Sequence, residues 1–189
     1  ISPVEAARTF LFMTETAPGK TGGREDNDMY CENDTVFYRS SGICTVAGID
    51  KKNFYGKTTE YYVLHPLGDP ISTFFVPTGK EEGTLRPILT KQEADTVLHT
   101  PSESPCPWNG NENLRRTQHR KIISEGVPVE LASLIRAICS YETQQKAGGK
   151  KLHAADEALL RDAQKLFCNE FSYVLGIDTD EVLPLLLKG

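Results

Sequence analysis

Thr35-Val-Phe-Tyr-Arg-Ser-Ser-Gly-Ile-Cys-Thr-Val-Ala-Gly-Ile-Asp-Lys51 is the stretch on which the fold turns. Its two β-branched and aromatic runs, Thr35 to Arg39 and Ile43 to Lys51, suit a half-buried pleated surface, and Ser40-Ser-Gly42 between them is turn material. Downstream, Glu60-Tyr-Tyr-Val-Leu64 and Ser72-Thr-Phe-Phe-Val76 repeat the pattern, separated by Tyr55-Gly-Lys57 and Gly68-Asp-Pro70. Pro77 ends the fourth run, since proline offers no backbone donor to a ladder. Thr84 to Ile88 supplies a short fifth strand. This spacing predicts an antiparallel meander closing into a small barrel.

After residue 90 the periodicity becomes helical. Thr90 and Glu93 form a T-x-x-E capping box that starts a short helix running to about His99. Pro101, Pro105 and Pro107 then disfavour helix and mark a stiff connector, the natural domain boundary. Leu131, Leu134, Ile135, Ile138 and Tyr141 follow one amphipathic stripe, and Leu160, Ala163, Phe167, Phe171 and Val174 follow another. Gly148-Gly149 separates the two helices, Gly176 suits the left-handed residue closing the second, and Asp178 with Glu181 caps a last helix ending near Lys188. The fold class is therefore α+β: a small antiparallel β-barrel module at residues 29–100, followed by an all-helical domain at 101–189. Residues 1–28, dense in turn and charged types, read as a disordered tail or upstream extension. Gly19-Lys20-Thr21 within them is not a phosphate loop, because Thr14 stands where the leading glycine belongs.

Composition removes several function classes. A formal net charge of -5 and a pI near 5.4 argue against coating nucleic acid through global electrostatics, so any DNA contact must come from a local patch. The five cysteines, Cys31, Cys44, Cys106, Cys139 and Cys168, never form a C-x-x-C pair, which suggests reduced thiols in a cytoplasmic protein and no metal site. No apolar run approaches the ~20 residues that cross a bilayer. His65, His99, His119 and His153 are scattered, and no hydrolase, metalloprotease or dinucleotide motif accompanies them. The expectation is a non-enzymatic binding protein with no cofactor and no small-molecule substrate.

The richest stretch for binding is Pro107-Trp-Asn-Gly-Asn-Glu-Asn-Leu-Arg-Arg-Thr-Gln-His-Arg-Lys-Ile-Ile123, which holds the sole tryptophan, Trp108, ahead of Arg115, Arg116, Arg120 and Lys121. Arg116 and Arg120 share a helix face, while Leu114 and Ile122 offer a thin apolar stripe to seat it. A basic helix beside an exposed aromatic fits duplex DNA: cations neutralise phosphates and a flat apolar group wedges into a minor-groove step. The same pattern also fits a solvated helix with Trp108 packed between domains.

The run Gly149-Lys-Lys-Leu-His-Ala-Ala-Asp-Glu-Ala-Leu-Leu-Arg-Asp-Ala-Gln-Lys-Leu-Phe167, with Asn169 to Ile177 and Glu181-Val-Leu-Pro184, resembles the C-terminal signature of the CarD family of bacterial transcription regulators. Asp34-Thr-Val-Phe-Tyr38, Gly42, Glu60 to Leu64, Phe75-Val-Pro77 and Leu85-Arg-Pro87 follow the order of that family's N-terminal module. The resemblance implies a Tudor-like module docking on the RNA polymerase β subunit, and a helical domain touching promoter DNA at the upstream edge of the melted region. It places the family's wedge tryptophan at Trp108 and polymerase-facing positions at Lys52 and Phe75, the latter a departure from the arginine common there. Glu157 departs from a basic residue found in some members at the start of the long C-terminal helix, so the DNA footprint falls on Arg115 to Lys121, joined by Lys150 and Lys151.

Overall fold

The computed structural model describes residues 29–54, 57–69, 71–80, 83–99 and 108–188. The tail at 1–28, the connector prolines and Cys106 lie outside the described residues. Among the described residues five strands, β1 (Thr35–Tyr38), β2 (Gly42–Phe54), β3 (Lys57–Pro66), β4 (Phe74–Pro77) and β5 (Leu85–Pro87), form one antiparallel sheet in the order β4-β3-β2-β1-β5. The α+β arrangement stands, but closure of the barrel does not. β4 and β5 are edges, only 4 and 3 residues long, and no ladder joins them among the described residues. The sheet instead curls: Tyr38 on β1 and Phe74 on β4 have β2 and β3 between them, yet their ring centroids lie 5.1 Å apart. A bulge between Val46 and Gly48 adds to the bend in β2.

Residues opposed across a ladder share a face, which gives the sheet two distinct sides. The concave side carries its own small core, Val36, Cys44, Val46, Tyr62, Leu64 and Val76, all buried. On the convex side Phe37 stands opposite Ile43 and Arg86, and its ring enters the helical core.

Among the described residues the helices are α1 (Lys91–His99), α2 (Glu112–Glu125), α3 (Pro128–Ala147), α4 (Ala154–Leu175) and α5 (Thr179–Lys188). The capping box of α1 forms as expected: the Thr90 backbone N–H donates to Glu93 Oε2 at 2.7 Å, and Glu93 N–H donates to Thr90 Oγ1 at 3.2 Å. Both apolar stripes face inward, with Tyr141 alone left half-buried, and the Phe167 and Phe171 rings stack at 3.9 Å. Ala94, Val97 and Leu98 of α1 belong to the same core, and Cys31–Gly189 makes one compact unit.

Sheet and helices are riveted together by Arg86 of β5. Its guanidinium donates to both oxygens of Glu170 on α4, at 2.6 and 2.7 Å, and to the Gly126 carbonyl at 3.1 Å, while lying 3.9 Å over the Phe37 ring. Gly126 ends α2 at φ +67, and a Cβ there would meet Phe37 Cε1 at 2.7 Å, so only glycine permits this approach.

Candidate docking face and nucleic-acid interface

The convex face of the sheet continues along β2, β3 and β4, and there it carries Lys52, Tyr61, Val63 and Phe75. Lys52 and Phe75, distant in sequence, are brought together: Lys52 Nζ sits 3.9 Å from the Phe75 ring centroid and 3.6 Å from Asp50. Phe75 is 41% exposed, large for a phenylalanine on a sheet face, and Lys52 is partly exposed. An amphipathic cation over an open aromatic is a surface suited to protein contact.

On α2 the basic residues divide. Asn111 caps the helix by accepting from the Asn113 and Leu114 N–H groups, which fixes its rotation. The face turned inward is Arg115, His119 and Ile123, whereas Leu114 is 48% exposed, so the helix is not seated by the expected Leu114 and Ile122 stripe alone. The reason is Asp156, a buried carboxylate on the inner face of α4 that requires a cation. Arg115 supplies it, Nη2 donating to Oδ2 at 2.9 Å with both side chains at least nine-tenths buried. Arg115 is thereby withdrawn from the solvent face on which phosphate contact was expected.

Arg116 is mostly covered, paired with Glu112 at 2.9 Å and donating to His153 Nδ1 at 3.1 Å. That nitrogen also accepts the Ala155 N–H at 3.2 Å as the cap of α4, which assigns the ring proton to Nε2. Lys150 and Lys151 are exposed in the turn leading to α4, whose cap residue His153 meets Arg116 of α2. Arg120, one turn beyond Arg116, is exposed and forms no ion pair among the described residues; Lys121 is exposed beside Glu125 at 3.7 Å.

Trp108 is half-buried against the helical core. Tyr141 stacks on it at 3.6 Å with planes 16° apart, and the Arg115 guanidinium carbon lies 4.3 Å over the ring. Since a face stacked at that distance admits no second group, Arg115 covers the opposite face. His119 approaches at 6.1 Å, tilted by 60°. Burial holds the His119 imidazole below its ordinary value, Asp156 opposing and Arg115 reinforcing the shift.

Asp156, His119, His153 and Tyr141 were not singled out as site residues from sequence. Asp156 had a signal, a charge placed four residues before Leu160 on an apolar stripe; the others had none beyond position. Elsewhere, burial pushes the Cys44 and Cys168 thiols up to about 11, which leaves them protonated near neutral pH. No group of three or more metal-ligating side chains occurs among the described residues, and none of the helices described is long and apolar enough to cross a membrane. An open groove of about 520 Å³ between α1 and the start of α3 offers one carboxylate, Glu93, which already serves the cap.

Comparison with known proteins agrees with the sheet. Residues 30–89 match the CarD-like/TRCF RID domain. Over 159 residues the chain is 21% identical to a Bacillus subtilis (strain 168) protein named "Putative transcription factor YdeB", covering 82% of this chain and 97% of that protein. These names point to a transcription factor rather than an enzyme.

Proposed function

We propose that this chain, whose residues 30–89 match the CarD-like/TRCF RID domain, is a bacterial transcription regulator which docks on the RNA polymerase β subunit and contacts promoter DNA to stabilise the open complex. Docking uses the convex sheet face around Lys52 and Phe75. DNA contact uses Trp108, the flank of α2 that carries Arg116 and Arg120, and the lysines Lys150 and Lys151 ahead of α4, with Lys121 at its margin. The observation that carries this reading is the match of residues 30–89 to the CarD-like/TRCF RID domain, joined on a chain of net charge -5 by three exposed cations, Arg120, Lys150 and Lys151, outside any ion pair found among the described residues.

A small basic face binds DNA weakly alone, but tethering to polymerase presents it at high effective concentration. If Trp108 engages a kinked or opened step better than intact duplex, the population of promoter complexes shifts toward the open form. The reading requires no cofactor, metal or small-molecule substrate and places the protein in the cytoplasm. Division of labour follows the proposed boundary, residues 29–100 docking and 101–189 meeting DNA.

A second reading, a polymerase-binding adaptor without DNA contact, is favoured by the burial of Arg115 and the sandwiched Trp108 ring. Two measurements separate them: retention of polymerase from a bacterial lysate, and the lifetime of the open promoter complex with and without the protein. Retention with a lengthened lifetime that Trp108→Ala abolishes supports the first; retention with no change in lifetime and no salt-dependent DNA binding leaves the adaptor.

A further inference from the structure

We propose that Tyr141, Arg115 and Asp156 are positioning residues that hold Trp108 as a pre-oriented wedge, so that the indole meets DNA by its rim rather than by an open face. The inference rests on the wedge role proposed above and deepens it. Two helices converge on one ring: Tyr141 from α3 stacks on one face, and Arg115 from α2 covers the other. Arg115 is itself fixed at two points, Nη2 on Asp156 Oδ2 of α4 at 2.9 Å and Nη1 on the Asn109 carbonyl at 2.8 Å. The second bond ties down the backbone immediately after Trp108, and the Asn109 side chain accepts the Asn111 N–H at 2.9 Å, continuing the restraint into the cap of α2.

The chemistry of the clamp suits this task. Asp156 is 1% exposed and Arg115 is 4% exposed, so the pair sits out of reach of screening by salt and holds its geometry under the ionic conditions that weaken surface contacts. A planar guanidinium stacks on indole where an ammonium would not, and its fork reaches carboxylate and carbonyl together. With both faces occupied, the ring is ordered before DNA arrives, which removes the cost of ordering it during insertion. Arg115 therefore acts on DNA through Trp108.

The test uses the full-length chain, whose single tryptophan reports on itself by fluorescence. Anisotropy decay and acrylamide quenching of Trp108 in the free protein read the clamp; the lifetime of the open complex formed with polymerase on a promoter reads its use. Tyr141→Phe should keep the ring restrained and the lifetime near wild type. Tyr141→Leu should free the ring and shorten the lifetime about two- to tenfold, the equivalent of ordering one side chain during binding. Arg115→Lys, which keeps the charge beside Asp156 but loses the planar fork, should act in the same direction, and serves as the second variant if Tyr141→Leu melts early. A freed ring with an unchanged lifetime, while Trp108→Ala still shortens it, overturns the positioning role and leaves the wedge. No effect of Trp108→Ala on the lifetime overturns the wedge and the positioning role with it.

Discussion

Replacing Glu170 by alanine removes the carboxylate through which α4 grips the sheet. Glu170 is 1% exposed and accepts from Arg86 Nη1, Arg86 Nη2 and the Leu89 N–H. Breaking a buried ion pair from one side costs about 3–5 kcal/mol because the other charge is stranded. The Arg86 side chain is 27% exposed and keeps the Gly126 and Pro87 carbonyls, so water and these acceptors moderate the loss. The lower end, about 3 kcal/mol, is the expectation, or roughly 6–12 °C in Tm for a domain of this size. Arg86→Ala should cost more, since the carboxylate it strands is the more deeply buried partner. Replacing both by leucine should cost less than either, because no charge is left unpaired. Urea titrations followed by far-UV circular dichroism and by Trp108 fluorescence measure the cycle. A loss below about 1 kcal/mol for Glu170→Ala, or a loss for the Arg86→Ala, Glu170→Ala double variant equal to the sum of the two single losses, would show that solvent already screens the bridge and that apolar contacts around Phe37 join sheet to helices unaided.

Lys52→Glu should weaken polymerase retention about tenfold or more with the circular dichroism spectrum unchanged; wild-type retention would remove the convex face from the docking surface. Substituting Arg120, Lys150 and Lys151 by alanine should make the salt dependence of DNA binding shallower by about 0.9 for each cation that meets a phosphate, across promoter sequences alike, and an unchanged slope would mean a solvated face. Above the ordinary imidazole value of 6.5, His119 is neutral in both folded and unfolded chains; below it the unfolded chain takes up a proton that the ring, desolvated by burial and facing Arg115, resists against the pull of Asp156. Stability should therefore fall as pH drops from that value toward the lowered folded one, and His119→Gln should flatten melting temperatures measured across the same window.

The sequence made the strands legible because β-branched runs and turn residues alternate plainly from Thr35 onward, and it made α3 and α4 legible because each carries an unbroken apolar stripe. Closure of the sheet was not legible: edge pairing depends on how far a bulge bends β2 and on helices covering the convex face, neither of which is a local property. In the candidate site, pairing of Lys52 with Phe75 depended on three-strand register. The inward turn of Arg115 depended on Asp156, forty-one positions away. A sequence window over α2 shows four cations and cannot show which of them a distant carboxylate will claim.

That claim decides how the proposed DNA surface works. Successive residues on a helix are separated by about 100°, so fixing Arg115 toward Asp156 carries His119 and Ile123 inward with it and leaves Arg116 and Arg120 on a flank. Arg116 is already committed to Glu112 and His153. What remains fully open is Arg120, Lys121, Lys150 and Lys151, with Lys121 near Glu125. So few phosphate contacts cannot hold duplex DNA against physiological salt on their own, given that each contributes a counterion-release term that shrinks as salt rises. The proposed footprint is too small for an independent DNA-binding protein and suits one delivered to its site by a docked partner. Polymerase docking through the sheet is therefore what the proposed DNA contact requires, and under that proposal the Arg86–Glu170 rivet, by fixing sheet to helices, would set where on a promoter the Trp108 rim falls.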